Sequence, residues 1–236
     1  MNLHTRTRGR RPLIASLAVT TVAGLGAAGA GLASVATAEG GDSPRKVSGH
    51  FERLRVDGDN QHILEGDRTK VDGYMKPRDK GRVVWIEGRW RGSHGWRVVA
   101  KDKTGSSGRF SDHWRPPRVG YYSMRAVLTG SDAEPRRVKG GVTVYRASEA
   151  SYYGPGFWGG STACGQTLEP GTIGVAHRTL PCGTKVRFYY RGHKVTAPVI
   201  DRGPYSGNRE WDLTEATKDR LRFPSTGTVW AAPQGG

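Results

Sequence analysis

Short apolar runs separated by glycine-containing turns fill residues 51–146 and limit what this stretch can form. The runs are Arg82–Glu87, Gly95–Ala100, Tyr121–Leu128 and Val142–Tyr145, and the turns carry Gly58, Gly81, Gly105 and Gly140. No helical stretch of useful length lies among them. Strands this short, with a turn about every ten residues, are typical of an antiparallel β-sandwich.

The middle segment also resembles a bacterial immunoglobulin-like domain, through the residues from Gly95–Trp96 to Gly120–Tyr122. We therefore expect residues 51–146 to form an immunoglobulin-like β-sandwich that folds alone. It holds no cluster of His, Cys and carboxylates, so we expect no catalysis there. Most of its tryptophans should be core residues, although exposed ones could stack on sugar rings. These tryptophans are Trp85, Trp90, Trp96 and Trp114.

The first 38 residues have the layout of a secretory signal peptide. Arg6 to Arg11 make a basic start, Leu13 to about Ala33 are apolar, and Ala36–Thr37–Ala38 offer a small-residue cleavage site. A membrane anchor is the alternative, since the apolar run is long enough to span. We expect cleavage, by the general or the twin-arginine route, with no stable membrane anchor afterwards. Residues 39–50 are polar and predict a flexible tether.

Positive charge predominates, with a formal net charge of +16. Much of it lies in residues 39–146, which carry 23 Lys and Arg against 14 Asp and Glu. A basic surface favours a polyanionic partner. For an exported chain this predicts anionic wall polymers or acidic peptide stems and no nucleic acid, while general solubility is an equally good reading.

The last ninety or so residues combine strands with one helix. The pattern predicts strands at Thr184–Tyr190 and Lys194–Ile200, joined by a turn at Arg191–His193. It predicts a helix over Asp212–Leu221, whose apolar positions recur at helical spacing, and a last strand at Thr228–Ala232.

Asp201 follows the second of these strands and precedes a Gly203–Pro204 turn. A carboxylate at the end of a buried strand lies at the rim of a sheet or barrel, where partial desolvation raises its pKa and suits it to act as an acid. His177 and Gln166 are further candidates. Taken alone, each has an ordinary structural reading, such as a turn cap for Asp201.

Together these residues resemble the rare lipoprotein A family over about residues 150–232. The resemblance implies that residues 147–236 form a six-stranded double-psi β-barrel with one short helix, a fold shared with expansins and barwin-like proteins. Characterised members are lytic transglycosylases, which cleave the β-1,4 bond between N-acetylmuramic acid and N-acetylglucosamine and leave a 1,6-anhydro end. The matching blocks are Ala150–Gly154, Ser161–Gln166, Val175–Val186, Ile200–Tyr205 and Asp212–Leu213.

The resemblance also implies roles for individual residues. Asp201 would be the acid and base, supported by His177, with no cofactor or metal. The substrate-binding candidates are Tyr153, Thr162, Gln166, Arg202 and Tyr205. Cys164 and Cys182 are the two cysteines of the chain. In an exported chain an even count predicts a disulfide, with two free thiols as the alternative, and their place in matching blocks supports the pair.

One residue departs from the family pattern. Gln166 stands where active members have a Glu, and an amide cannot exchange a proton near neutral pH. Glu169 could compensate. Two functions follow for a secreted, cell-envelope protein that binds peptidoglycan glycan strands. The first is a lytic transglycosylase, and the alternative is a non-catalytic, expansin-like wall protein.

Overall fold

The computed structural model describes residues 53–57 and 61–234, and the predicted signal peptide and the whole of the predicted tether lie outside this part of the chain. The strands are β1 (Arg53–Asp57), β2 (Gln61–Leu64), β3 (Thr69–Lys76), β4 (Val83–Trp90), β5 (Arg97–Lys103), β6 (Arg109–Trp114), β7 (Gly120–Leu128), β8 (Arg136–Arg137), β9 (Val142–Tyr153), β10 (Val175–Ala176), β11 (Lys185–Tyr190), β12 (His193–Asp201), β13 (Trp211–Thr214) and β14 (Gly227–Pro233). One helix, α1 (Glu215–Leu221), lies among them in the described residues.

The N-terminal region consists of two packed β-layers. One is the antiparallel sheet β1–β3–β6, and the other is formed by β9, β7, β4 and β5 within a larger sheet. Residues alternate between buried and half-buried along the whole of β7, as a strand with one face on the core requires. Val71 of β3 packs with Ile86 of β4 and Met124 of β7 in one core cluster. The region is all β, and its likeness to immunoglobulin domains stays a prediction.

The C-terminal region is a closed barrel of six strands. Neighbouring strands pair in the order β13–β10–β12–β11–β14–β9, and β13 pairs back onto β9 to close the ring. The pairs β10–β12 and β13–β9 are parallel, whereas the other pairs are antiparallel. Fully buried side chains fill the interior, among them Phe188, Val199, Trp211 and Leu213. The prediction of a six-stranded barrel with one helix is confirmed.

Strand β9 belongs to both regions. Val142–Tyr145 pair with β2, whereas Arg146 and the residues after it pair with β14 and then β13. The boundary expected between residues 146 and 147 therefore falls inside a continuous strand. The described residues all belong to one compact unit.

Helix α1 is shorter than its predicted span, because Asp212 and Leu213 lie in β13. Thr214 keeps an extended backbone, and its hydroxyl accepts a hydrogen bond from the Thr217 N–H at 3.3 Å, as an N-cap does. Helical spacing of apolar residues could not show where this cap lies. Within the described residues, no helix is long and apolar enough to cross a membrane.

Candidate functional site

A cavity of about 240 Å³ lies where β9, β12 and β13 meet the loop that precedes β10. Two carboxylates, Asp201 and Asp212, line it together with Tyr153, Thr162 and Arg202. Four of these five residues are site residues predicted from the sequence. Asp212 is the exception. The remaining lining residues are Phe157, Gly160, Ser161, Leu168 and Ala176.

Asp201 is the last residue of β12 and is held by backbone donors. Its Oδ1 accepts hydrogen bonds from the N–H groups of Ala163 and Arg202, both at 2.8 Å. Its carbonyl oxygen accepts a third bond from the N–H of His177 at 3.1 Å. The carboxylate thus has a fixed orientation at the wall of the cavity.

A disulfide joins Cys164 to Cys182, as predicted, with 5.8 Å between their Cα atoms. The N–H of Cys164 also donates to the carbonyl oxygen of Ile200 at 3.2 Å. Both bonds hold the loop that carries Ala163, the donor to Asp201. The disulfide therefore supports the geometry of the site as well as the fold.

Asp212 faces the cavity from β13 and accepts a hydrogen bond from Ser151 Oγ at 2.8 Å. Burial raises the pKa of its carboxyl, and the negative charge of Asp201 adds to this, against the opposite effects of Ser151 and Arg209. One signal for Asp212 was present in the sequence, namely its place in a matching block. Assigning it to a helix concealed that it shares a cavity with Asp201.

The Tyr153 hydroxyl is buried and faces the Asp201 carboxylate, which is near enough to accept a hydrogen bond from it. Burial, followed by the charges of Asp201 and Asp212, raises the pKa of this phenol. The hydroxyl therefore keeps its proton at neutral pH. It is a hydrogen-bond donor at the wall of the cavity, and it lies close enough to both carboxylates for their charges to affect its pKa.

His177 is not among the residues that line the cavity. Its Nδ1 accepts hydrogen bonds from the N–H groups of Thr179 and Leu180, at 3.1 and 3.0 Å, and its ring packs on Trp211 at 4.6 Å between centroids. Its Nε2 lies 3.8 Å from Glu210 Oε1. Burial lowers the pKa of the imidazole; Glu210 acts against this, and Arg178 and Arg202 add to it. The side chain is thus placed to support the loop, while its backbone bonds to Asp201.

The other substrate-binding candidates differ in their placement. Gln166 is exposed and does not line the cavity, but its backbone bonds in both directions with Thr162. The Arg202 guanidinium donates to the carbonyl oxygen of Leu180 at 2.9 Å and so braces the loop before β11. Tyr205 is 80% exposed, and Phe157, which sequence reasoning missed, is 64% exposed at the cavity. Exposed aromatic rings are suited to stacking on sugars.

The comparisons with known proteins identify relatives of the barrel region. Residues 145–230 match the family model described as lytic transglycolase. A probable endolytic peptidoglycan transglycosylase RlpA from Synechocystis is 38% identical over 39% of this chain and 27% of its own length. The endolytic peptidoglycan transglycosylase RlpA of Campylobacter jejuni is 40% identical over 34% of this chain and 30% of its own. A probable endolytic peptidoglycan transglycosylase RlpA from Aquifex aeolicus is 34% identical over 46% of this chain and 45% of its own length. The chain thus spans less than half the length of these relatives.

Proposed function

We propose that this chain, whose residues 145–230 belong to the rare lipoprotein A-like double-psi β-barrel family, is a lytic transglycosylase that cleaves peptidoglycan glycan strands outside the cytoplasm. The substrate bond is the β-1,4 bond between N-acetylmuramic acid and N-acetylglucosamine. The product carries a 1,6-anhydro end on the muramic acid.

The reaction requires two proton transfers and no water. The 6-hydroxyl of the muramic acid attacks its own anomeric carbon, and the bond to the glucosamine oxygen breaks. The hydroxyl loses a proton, and the leaving oxygen gains one. A carboxylate and a carboxylic acid at opposite ends of this displacement can supply both transfers.

The observation that carries the proposal is the pair of carboxyl groups in one cavity. Groups whose environments differ are suited to different roles, one as acid and one as base. Asp212, with its raised pKa, is the better proton donor to the leaving oxygen. Asp201, whose Oδ1 is fixed by two N–H groups, is the acceptor for the proton of the 6-hydroxyl.

Residues in and around the cavity would bind the sugar or hold the site in place. Tyr153 offers a buried hydroxyl that keeps its proton and can donate to a sugar oxygen. Phe157 offers an exposed ring beside the carboxylates, and Tyr205 offers another on the loop after Asp201. His177 would act as a positioning residue, since its backbone bonds to Asp201 while its imidazole holds the following turn.

One observation favours the alternative of a non-catalytic, expansin-like glycan-binding protein. Gln166 replaces the family Glu, and an amide can bind a sugar without moving a proton. The enzyme remains the better proposal, because the cavity holds two carboxyl groups without any contribution from residue 166.

Digestion of purified sacculi, followed by mass analysis for anhydro-muropeptides, tests the proposal. Asp201→Asn keeps the shape of the side chain and removes the proton acceptor, so product release should fall by about 10²–10⁴-fold. The matched control is Asp219→Asn on the exposed end of α1, which should digest like the wild type. Equal release by Asp201→Asn and wild type would disprove the assignment. Glycan binding without release by either protein would favour the binding function.

A further inference from the structure

A second cavity, which we call the junction cleft, has a volume of about 360 Å³ and lies between the two regions. One wall comes from the N-terminal region through His62, Tyr121 and Tyr145, and the other from the barrel through Arg187 and Lys194. It shares no lining residue with the cavity of Asp201. Junctions between packed regions are common places for ligand sites, and this volume is in the usual range.

Among the described residues that line it, Arg187 and Lys194 are cationic and none is a carboxylate. The Arg187 guanidinium lies over the ring of Tyr121, 4.6 Å from its centroid, and Nη1 donates to Thr143 Oγ1 at 3.1 Å. These contacts hold a flat cation in place at the cleft. Lys194 is near enough that it and Arg187, after burial, lower the pKa of His62. An anion entering the cleft would meet two positive charges.

His62 adds a hydrogen-bond donor. Its Nδ1 lies 2.8 Å from the Tyr145 hydroxyl, and burial raises the pKa of Tyr145 to about 12, so that this hydroxyl keeps its proton and can donate to Nδ1. The neutral imidazole then carries its proton on Nε2. Nε2 is buried and has no hydrogen-bond partner among the described residues. Donors of this kind are rare in folded proteins, and an acceptor in the cleft could satisfy it.

Cations and aromatic rings continue from the cleft along the same sheet face. Tyr121, Ser123 and Arg125 alternate with buried residues on β7, so their side chains share one face. There Arg89, Arg125 and Arg137 surround the Trp96 ring, at 4.9, 4.3 and 5.7 Å from its centroid, and Arg125 is also ion-paired with Glu87 at 2.6 Å. Lys101 lies 5.4 Å over Trp85. We call Trp85, Arg89, Trp96, Lys101, Arg125 and Arg137 the basic–aromatic face.

We propose that the junction cleft and the basic–aromatic face together bind an acidic polysaccharide, with one anionic group of the polymer held by Arg187 and Lys194. Cations pair with carboxylate or phosphate groups, and Trp85, which is 37% exposed, offers a ring that can pack on a sugar. The track of cations outside the cleft suits a polymer better than a single small ligand. The proposal goes beyond the lytic activity and does not require it.

Affinity measurements with the purified chain test this proposal. The probes are a polyuronate, a phosphorylated glucan, a neutral chitin oligosaccharide and single-stranded DNA. The two acidic saccharide polymers share the anionic chemistry, so binding of either supports the proposal, and the tighter one identifies whether the natural anion is a carboxylate or a phosphate. Binding should weaken as salt rises. Tighter binding of DNA than of either, or no binding of either, would overturn it.

Paired variants distinguish binding at a specific site from general attraction to the positive charge of the protein. Arg187→Gln with Lys194→Gln in the cleft, and Lys101→Gln with Arg137→Gln on the face, should each weaken polymer binding about tenfold, as two exposed charge contacts would. The matched control, Arg191→Gln with Arg220→Gln, removes the same charge from exposed barrel positions and should lose far less. Equal losses in control and cleft variants would show non-specific attraction and overturn the proposal. Asp201→Asn should bind the polymer like the wild type, so a failed lytic reaction would not be confused with a failed polymer site.

Discussion

Asp212 lines the cavity, and its ionised carboxylate lowers the stability of the folded state. Burial and the nearby charge of Asp201 raise the pKa of its carboxyl above that of the unfolded chain. The folded protein therefore gains most from this group at low pH, where it is protonated in both states. That gain is lost as the pH rises through the folded-state pKa, because a partly buried charge forms.

Asp212→Asn should consequently raise stability and lower activity. The amide resembles the protonated carboxyl and can still accept the bond from Ser151 Oγ, so the urea midpoint at neutral pH should rise above that of the wild type. The difference should shrink as the pH falls below the ordinary Asp pKa of about 3.9. Anhydro-product release should fall by about 10²–10⁴-fold, because the proton donor is lost.

The exposed residue Asp132 provides the control for this measurement. Asp132→Asn should leave both the midpoint and product release close to those of the wild type. A stabilised Asp212→Asn that still released product at the wild-type rate would remove Asp212 from the mechanism. A destabilised one would show that its ionised form supports the fold.

At the level of residues, sequence reasoning found what neighbours along the chain can reveal. Asp201 at a strand end and the cysteine pair were both identified, and the structure places Asp201 in the cavity and joins the cysteines. Asp212 was missed as a site residue, because its partner Ser151 lies 61 positions away and is brought to it by the parallel pairing of β13 with β9. Only the closed barrel reveals that contact.

Among the elements, the loop closed by the disulfide connects stability with the site. Closing a loop of this length stabilises the folded state by about 3 kcal/mol in the chain-entropy model. Replacing both Cys164 and Cys182 by Ser should lower the free energy of unfolding by about that amount. Activity should fall as well, since the loop carries the Ala163 donor to Asp201.

Urea unfolding with and without reductant measures this effect. Reductant should lower the midpoint of the wild type to that of the double Ser variant and leave the variant unchanged. A wild-type midpoint that does not respond to a reductant shown to open the bond would contradict a stabilising role.

The elements also show where periodicity is informative and where it is not. Alternation and turn residues located β11 and β12 to within a residue or so at most ends. The pattern of apolar residues could not separate the end of β13 from the start of α1. Leu213 on the strand and Thr217 and Leu221 on the helix are all buried, so their spacing looks like that of one continuous helix. The N-cap at Thr214 is set by its bonds to the distant Thr172 and Gly174 carbonyl oxygens, at 2.7 and 3.1 Å.

At the scale of the whole molecule, the two regions are joined by backbone and by aromatic packing. Strand β9 passes through both, and His62 of β2 stacks on Tyr189 of β11 with 4.8 Å between ring centroids. The rings of Tyr145 and Trp230 belong to the same cluster, with 6.1 Å between their centroids. The sequence suggested two domains that fold separately, because the pattern of strands cannot show that one strand serves both. The shared strand instead favours coupled unfolding.

Coupling predicts that damage to one core loosens the other. Ile86→Ala empties a buried position in the N-terminal region and should cost about 2–5 kcal/mol. If the regions unfold together, hydrogen exchange of the slowest amides in β11 and β12 should accelerate by the factor that this loss implies, as measured by mass spectrometry on the purified chain. The reciprocal variant, Val199→Ala in the barrel core, should accelerate exchange in β4 and β7. Unchanged barrel protection in Ile86→Ala, with faster exchange confined to the N-terminal region, would show that the two regions unfold independently in spite of the strand they share.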